Sequence, residues 1–384
     1  MNGKVQVVSR ALLRHTHPVT FSQAPTHSPL RMEIRYRLDS LAPAWDELLE
    51  QQEFSSPFLS SCWVDQAAEG TPALMCFFNG SVLVGGAAFQ VDSVGKGPLT
   101  IQRVRCVGQG TLAPDHLDLI SKPEFLAEVR AAVIGWFKRP GSRVIDLDGL
   151  AATGALATAL RSHEISRMTA PYSNLPEEGS EYLAQRPGQV RSTIVRTRKR
   201  FARDGVEFRQ VPPESMPLAL DRLAELHDGR WAEQSAFLEG WDRFKAAALA
   251  GAASGSFLIH ELVTAEQQVI ATELDLRCGN RLFFYQAGRK TEREWRGCGS
   301  VLRADILDWA CAEGLQEYDL LRGDESYKAD WSTSQRELVR CRLGIGPRGV
   351  AVIRAAQAQQ HVLAWSSRIR SAVSERGQSA VQPD

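Results

Sequence analysis

The sequence predicts a mixed α/β (α+β) protein made of two similar units in tandem, each with a mixed central sheet flanked by helices. Three observations support this fold class. Strand-like and helix-like segments alternate from residue 32 to residue 345. Asn79-Gly80 and Gly279-Asn280 each join two apolar segments, as tight hairpin turns do. Both halves also run in the same order of strand, helices, hairpin sheet, helix and strand.

The order of these segments divides the chain into four predicted parts. They are a disordered N-terminal arm over residues 1–31, a first unit over 32–176, a second unit over 177–347, and a C-terminal helix and tail over 348–384. The arm is rich in Ser, Thr, His and Pro and has no sustained hydrophobic period. The first unit ends near Pro171 and Pro176, where the strand pattern stops.

The elements of the first unit follow from local periodicity. MEIRYRL at 32–38 alternates like a strand, and helical spacing follows over 41–52 and 57–69. The later predicted elements are a strand hairpin at 73–91, a strand at 101–108, a helix at 124–138, a strand at 142–150, a helix at 153–162 and a strand at 164–170.

The second unit begins with a basic helix over 189–204, which Gly205 closes as a C-terminal cap. The remaining predictions are a strand at 206–211, helices at 214–234 and 241–250, strands at 256–264, 268–278 and 280–289, a helix at 300–314, strands at 317–321 and 336–344, and a helix at 354–372.

Composition limits the functional classes. Of the 384 residues 43% are hydrophobic and 23% are charged, and the net charge is zero, so no global field favours DNA or an anionic membrane. No apolar stretch reaches the roughly 18–20 residues that a membrane-spanning helix needs. The seven cysteines form no CxxC pair and no two histidines have the H-x₃₋₅-H spacing of a zinc site, so we expect a cytoplasmic protein without a metal site or disulfides.

A basic, glycine-containing loop precedes the helix predicted at 300–314. Backbone N–H groups at a helix start are unpaired and carry partial positive charge, and glycines let that backbone approach a phosphate. The loop therefore predicts a pyrophosphate cradle, although neither GxxxxGK[ST] nor GxGxxG is present. The predicted donor-binding residues are Arg293, Arg296, Gly297, Gly299 and Ser300.

Four stretches together resemble a known family. They are RSTIVRTRKRFARDG (191–205), HDGRW (227–231), CGSVLRADILDWA (298–310) and DLLRGDESYKADW (319–331). Over residues 35–345 the chain resembles the CelD-like acyltransferases, a branch of the GNAT superfamily related to the FemAB peptidyltransferases. Cys298-Gly299 stands where that family often has Pro-Gly, and Glu294 stands where GNAT proteins have Gln or Arg.

The resemblance implies two GNAT-like units and an N-acyltransferase. The acyl donor would be acyl-CoA or acyl carrier protein, with no permanently bound cofactor. The acceptor would be an amine of a sugar, lipid or other small molecule, in envelope polysaccharide or lipid metabolism, including sphingoid bases. A long-chain donor would require an apolar tunnel.

The loop at 319–331 supplies three predicted catalytic residues. Asp324 suits a base or a group that orients the substrate ammonium, Tyr327 suits an acid for the leaving thiolate, and Lys328 suits neutralisation of a phosphate or oxyanion. Structural roles compete with these: Asp324 as a turn cap, Tyr327 as a half-buried ring, Lys328 as a solvated charge.

Five further residues are candidates. His227 and His116 are predicted to transfer protons, the latter because Asp115 and Asp118 flank it. Asp115, Trp231 and Tyr285 are predicted to bind substrate, Tyr285 from the strand that ends FFYQAG. The competing interpretation is structural in each case: a hydrogen-bonded helix histidine for His227, a loop histidine for His116, and core packing for Trp231 and Tyr285.

Two rival functions stay open. One is a FemAB-like transferase that uses aminoacyl-tRNA, and the other is a non-catalytic scaffold in an envelope-assembly complex. Residues 191–203 hold six basic residues with only Phe201 as an aromatic neighbour, which argues against DNA and tRNA as partners. The same basic face suits an anionic donor or peripheral contact with lipid.

Overall fold

The structure, a computed structural model, describes residues 29–358 except 96, 98, 99 and 232–235. The strands are β1 (Arg31–Arg35), β2 (Thr71–Asn79), β3 (Val82–Val94), β4 (Ile101–Cys106), β5 (Ile120–Ser121), β6 (Arg143–Ala151), β7 (Glu164–Asn174), β8 (Glu207–Gln210), β9 (Phe257–Val263), β10 (Val269–Cys278), β11 (Arg281–Arg289), β12 (Glu317–Asp319) and β13 (Ser334–Ile345). The helices are α1 (Ala42–Glu50), α2 (Ser61–Val64), α3 (Leu126–Phe137), α4 (Ala155–Ala159), α5 (Gly179–Ala184), α6 (Gly188–Arg203), α7 (Met216–Trp231), α8 (Trp241–Ala252) and α9 (Cys298–Ala312). A further helical segment begins at 346 and is described to 358.

All of these strands belong to one mixed sheet, which confirms the predicted fold class. The strand order is β1-β2-β3-β4-β6-β13-β7-β12-β11-β10-β9-β8, with β5 beside β3. Two neighbouring pairs are parallel, β4 with β6 in the first half and β11 with β12 in the second. The other pairs are antiparallel, which suits the short hairpin connections.

The two halves exchange their last strands. β7, from the first half, pairs with β12, and β13, from the second half, pairs with both β6 and β7. The sheet therefore continues across the boundary predicted after residue 176, which itself stays a prediction. Because of this exchange, the parallel pair of each half lies directly beside a strand from the other half.

The predicted tight turns agree with the structure better than the other predicted elements do. Gly80 and Gly279 both adopt left-handed backbone, with φ of 61° and 58°, in the two predicted hairpins. The helix predicted at 300–314 instead begins at Cys298, because Gly297 supplies the left-handed turn (φ 91°) that starts it. The helix predicted at 57–69 is only a short turn followed by α2, and β5 was not predicted.

The chain ends also differ from expectation. β1 begins at Arg31, one residue inside the predicted arm, and the rest of that arm up to residue 28 lies outside the described residues. The last helix begins at 346 rather than 354, directly after β13, and the part of the prediction beyond 358 lies outside the described range. In the described part of the chain, no helix combines the length and apolarity needed to cross a bilayer.

Alternate residues of the second-half strands pack into two separate hydrophobic clusters. On β11, Phe283 belongs to one cluster, whereas Leu282 and Phe284 belong to the other. On β9, Ile259 and Leu258 divide in the same way. Because successive strand side chains point to opposite faces, the two clusters lie on opposite faces of this half of the sheet.

Candidate functional site

A cavity of about 840 Å³ opens where β11 and β12 diverge. The two strands pair only from Arg281 to Phe283 and from Glu317 to Asp319, and β11 then continues to Arg289. The cavity is lined by α6, α7, the start of α9, β10, β11, the loop at 320–331 and residues 111–115 of the first half. Its lining includes Tyr285 from one hydrophobic cluster and Ile194 from the other, so the cavity reaches both faces of the sheet.

A β-bulge on β11 shapes the middle of this cavity. Leu274 lies opposite Gln286 and Asp275 opposite Phe284, so Tyr285 is the extra residue on the bulged strand. Its hydroxyl donates a 2.8 Å hydrogen bond to the carbonyl oxygen of Leu112, in the first half. Burial raises the pKa of the Tyr285 phenol. Tyr285 therefore lines the cavity while joining the two halves.

The start of α9 forms one end of the cavity. The first intrahelical bond runs from Val301 N to the Gly297 carbonyl at 3.0 Å, so the preceding N–H groups have no acceptor from that ladder. Gly299 and Ser300 line the cavity, and so does Arg289, whose Cδ would lie 3.2 Å from a Cβ added at Gly299. This end can hold an anionic group.

The other residues predicted for donor binding lie around this end, outside the cavity. A Cβ added at Gly297 would contact Thr197 of α6 at 3.3 Å, so this glycine serves the close approach of α6 to α9. Arg293 and Arg296 are exposed, and the Arg296 carbonyl accepts a hydrogen bond from Arg200 Nη2 at 2.9 Å. These two side chains belong to the surface of the loop that leads into α9.

Lys328 organises the loop at 320–331. It is buried, and its ammonium contacts the carbonyl oxygens of Leu321 (3.3 Å) and Arg322 (2.5 Å) and the carboxylate of Glu325 (3.0 Å). An ammonium has three donors, and these three acceptors account for all of them. The Lys328 side chain therefore stabilises the backbone turn of the loop and lines the cavity.

Arg322 anchors the same loop to the first half. Its guanidinium forms an ion pair with Asp115, donates to Asp148 Oδ2 at 2.9 Å and donates to the Pro114 carbonyl at 2.7 Å. Burial raises the pKa of Asp115, although the Arg322 charge opposes that rise. Gly149 (φ 77°) makes room for this contact, because a Cβ there would overlap Pro114 O and Arg322 Nη2.

Asp324 and Tyr327 occupy different environments within the loop. Asp324 is exposed and does not line the cavity. Tyr327 is half-buried and lines it, with the Arg303 guanidinium 5.3 Å from its ring centroid. Gly323, which lies between Arg322 and Asp324, has φ of 130°, and a Cβ there would lie 2.7 Å from Lys328 Nζ. The GDxxYK motif thus builds the loop as well as presenting a ring to the cavity.

His116 lies behind the cavity rather than in it. It is buried with φ of 56°, and its Nε2 lies 3.1 Å from Asp319 Oδ2 at the end of β12. Burial alone would lower the pKa of His116, but the Asp319 carboxylate raises it overall. Its imidazole joins the first-half loop to β12.

His227 lines the cavity from α7. It is buried, and its ring meets that of Phe237 edge to face at 5.3 Å between centroids. Gly288 on β11 allows α7 to approach closely, because a Cβ there would lie 2.6 Å from Leu226 Cβ and 2.8 Å from His227 N. Trp231 ends α7, and its side chain lies outside the described part of the chain.

The structure adds a buried charged group that the sequence prediction missed. Glu273 on β10 accepts hydrogen bonds from Arg303 Nη2 (3.0 Å) and from the Tyr318 hydroxyl (2.8 Å). Burial raises the pKa of Glu273 to about 7, against the influence of Arg303. The signal was present in the sequence, since two carboxylates, Glu273 and Asp275, lie in the middle of a predicted strand.

The cavity thus unites about half of the predicted residues. Those that line it are Asp115, His227, Tyr285, Gly299, Ser300, Tyr327 and Lys328, and those outside it are His116, Arg293, Arg296, Gly297 and Asp324. Within the described residues, no group of three or more His, Cys, Asp or Glu side chains is arranged to hold a metal ion.

Comparison with known proteins finds a family match within the second half. A family model described as an acetyltransferase (GNAT) domain matches residues 188–329, from α6 into the loop at 320–331. No curated protein matches the chain. The CelD-like branch is not part of the matched description, so that finer resemblance stays a prediction.

Solved structures resemble almost the whole described chain. FemX has a TM-score of 0.57 at 11% identity, covering 78% of this chain and 95% of FemX. A conserved protein of unknown function from Bacteroides thetaiotaomicron VPI-5482 has a TM-score of 0.54 at 10% identity, covering 80% and 98%. The C-terminal domain of a putative lysylphosphatidylglycerol synthetase from Agrobacterium fabrum has 0.50 at 12%, covering 83% and 96%. At such identities the likeness shows the fold.

Proposed function

We propose that this protein is a GNAT-type N-acyltransferase that moves an acyl group from a thioester donor to an amine inside the cavity. One observation supports this most: the cavity lies where parallel strands β11 and β12 diverge, with the start of α9 at one end. The GNAT family match over residues 188–329 covers these same elements.

The donor's phosphates would bind at the start of α9. Backbone N–H groups there, the Ser300 hydroxyl and the Arg289 guanidinium would form this anion site. Arg293 and Arg296, exposed on the loop before α9, would attract an anionic donor without lining its binding site. Acyl-CoA and acyl carrier protein both present a phosphate linked to a thioester.

The thioester would then lie along the edge of β11 beyond Phe283. In the described residues this edge has no β12 partner, so its N–H groups can stabilise the oxyanion that forms as the amine attacks. The remaining acceleration would come from holding donor and amine together. The new bond joins the acyl carbon to the amine nitrogen, and the thiolate leaves.

Proton transfer is assigned to the residues that face this position. His227 would accept the proton from the amine, and Tyr327 would donate one to the leaving thiolate. Lys328, Arg322 and Asp115 would position the loop, because their charged groups are already bound to one another or to backbone carbonyls. Tyr285 would shape the cavity.

The acceptor and the cellular setting come from the CelD-like resemblance. It favours an amine of a sugar, a lipid or another small molecule, in envelope polysaccharide or lipid metabolism. A cytoplasmic location is part of the proposal, and the seven unpaired cysteines suit such a reducing compartment.

A second candidate is a transferase that uses aminoacyl-tRNA, as the FemAB resemblance implies. The observation that favours it is the coverage of 95% of FemX by this fold. The exposed basic residues of α6 would then meet the nucleic acid backbone; they are Arg191, Arg196, Lys199 and Arg203. A scaffold without catalysis would need neither donor.

A thermal-shift screen distinguishes the three. We expect coenzyme A and an acyl-CoA to raise the melting temperature of the full chain, since a ligand that binds the native state stabilises it by mass action. A shift with aminoacyl-tRNA and none with coenzyme A or acyl carrier protein would replace the proposal by the second candidate. No shift with any of these donors would favour the scaffold.

A further inference from the structure

We infer that Arg303, on the inner wall of the cavity, binds an anionic end of the transferred acyl group, so that the preferred donor carries a short acyl chain ending in a carboxylate. This inference rests on the proposed function and names the class of its donor.

Arg303 lies one helical turn beyond Gly299, on the part of α9 that lines the cavity. Its Nε and Nη2 lie 3.4 Å and 3.0 Å from the two oxygens of Glu273. Its Nη1 has no hydrogen-bond acceptor among the described residues, although the residue is only 7% exposed. A largely buried arginine whose Nη1 is left for a ligand therefore lies one turn inside the donor's entrance.

Aromatic rings hold this guanidinium in place. The Arg303 Cζ lies 4.1 Å from the ring centroid of Phe284, 5.3 Å from that of Tyr327 and 5.8 Å from that of Trp331. Together with the two contacts to Glu273, they fix the plane of the fork. A fixed donor selects a ligand by the position of one oxygen atom.

The chemistry of the wall favours an anion over an alkyl chain. An alkyl chain at this wall would leave Nη1 buried without a partner, which costs roughly 1–3 kcal/mol, or more for a charged donor. A carboxylate would form a charge-assisted hydrogen bond there. Glu273 can accommodate the added negative charge by taking up a proton, because burial raises its pKa to about 7.

The rest of the described lining agrees with a polar acyl group. A long alkyl chain needs a continuous apolar tunnel, whereas polar and apolar side chains together line this cavity. The polar lining residues away from the α9 start include Thr111, Gln189, Thr193, Thr272, Glu273, Gln286 and Asp330. The same 840 Å³ must also admit the arm of the donor and the amine, which leaves room for a short acyl group.

Isothermal titration of the full chain with succinyl-CoA and butyryl-CoA tests the inference, because both acyl groups have four carbons and only the first ends in a carboxylate. We expect succinyl-CoA to bind at least tenfold more tightly. Replacing both partners, Glu273→Met with Arg303→Met, should remove that preference by weakening succinyl-CoA binding and strengthening butyryl-CoA binding, because the alkyl chain then meets an apolar wall. The double replacement avoids an unpaired buried charge. Arg103→Met, which alters an ion pair with Asp92 outside the cavity, is the matched control.

Equal affinity for the two esters, or a preference that survives the double replacement, would overturn the inference. Free succinate and free butyrate separate it from the proposed function. An Arg303-dependent response to succinate without any binding of coenzyme A would retain the anion site and refute the thioester donor. Binding of coenzyme A without Arg303-dependent discrimination would retain the acyltransferase and refute the anion site.

Discussion

The sheet has one parallel strand pair in each half, and the two pairs are alike except that only the second leaves an open gap. In the first half, β4 and β6 pair in parallel from Gln102 to Val104, and in the second half β11 and β12 pair from Arg281 to Phe283. Each pair then diverges and each lies beside a strand from the other half. The second gap is the cavity, whereas the first gap is filled.

The filling of the first gap uses one side chain and one short segment. Gln109 Oε1 accepts hydrogen bonds from Cys106 N on β4 (3.2 Å) and Asp148 N on β6 (3.1 Å), bridging the two strands. Farther along, Leu117 exchanges backbone hydrogen bonds with Gly149 and Ala151 of β6. The first half thereby satisfies backbone groups that the second half leaves for a ligand.

The first half supports the site of the second. The segment between Gln109 and Leu117 supplies Leu112, which accepts from Tyr285, and Asp115, which binds Arg322. The segment that closes the first gap therefore also holds one wall of the cavity in place. Four changes test this division, beginning with the contact that joins the halves.

The largest effect is expected from Arg322→Ala, which removes the guanidinium that pairs with the buried Asp115 carboxylate. Breaking one member of a buried ion pair costs about 3–5 kcal/mol, so the urea midpoint should fall sharply and donor binding should be lost. Arg167→Ala, which removes an exposed ion pair with Glu164 and Glu337, should leave the midpoint unchanged. Equal midpoints for wild type and Arg322→Ala would show that the halves do not depend on this anchor.

A smaller effect is expected from Gln109→Ala. The change removes the acceptor of the buried Cys106 N–H and of the partly buried Asp148 N–H, which costs roughly 1–3 kcal/mol of unfolding free energy. Donor stoichiometry by titration should stay at one, because Leu117 keeps its backbone hydrogen bonds to Gly149 and Ala151 and the first gap stays filled. Gln335→Ala, on the exposed side of β13, is the control. A second equivalent of bound donor would contradict the comparison.

The buried carboxyls of β10 give a pH-dependent effect. Burial raises the pKa of Asp275 to about 8 and lowers that of His260, 3.5 Å away, to about 4. A carboxyl whose pKa is raised by folding stabilises the protein at low pH, and this stability is lost as the pH rises through the folded-state pKa. A histidine whose pKa is lowered by folding has the opposite effect, so its contribution to stability grows with pH up to about 6.5.

The two trends oppose each other between about pH 4 and 6.5, and only the carboxyl trend continues above that range. We expect the unfolding free energy to fall by about 1–2 kcal/mol between pH 6.5 and 8. Asp275→Asn should flatten this fall, and Asp221→Asn, at an exposed position, should keep it. Unfolding free energies from urea titrations at each pH check this; a fall of wild-type size in Asp275→Asn would contradict it.

The smallest effect is expected from Asp324→Ala. Its side chain is exposed outside the cavity, so stability should change by less than about 0.5 kcal/mol and donor binding by less than twofold. Lys328→Met, four residues on, should weaken donor binding at least tenfold because it removes the ammonium that holds the Leu321 and Arg322 carbonyls. A large loss of donor binding in Asp324→Ala would show that Asp324 belongs to the functional residues after all.

The local features of this fold could be read from the sequence, and the long-range ones could not. The hairpins at Gly80 and Gly279 and the glycine that starts α9 are fixed by backbone preference within a few residues. The strand exchange depends on pairing between distant segments, and periodicity carries no such information.

The same distinction applies to the site. The motif loop was recognised as special, but the acceptors that occupy Lys328 and the Asp115 that binds Arg322 depend on folded contacts, the latter between the two halves. Glu273 could have been found, because a carboxylate in the middle of a buried strand requires a buried partner. Arg303 could not be assigned to it, since several arginines follow β11.

The most direct test of the account is titration of coenzyme A into the wild-type chain and into Ser300→Trp. The indole would fill the cavity end at the start of α9 without replacing a buried residue. The account predicts one coenzyme A per chain, with affinity at least tenfold weaker in Ser300→Trp and unchanged in Ser180→Trp, an exposed position on α5 outside the cavity. Equal affinity in all three proteins would contradict it.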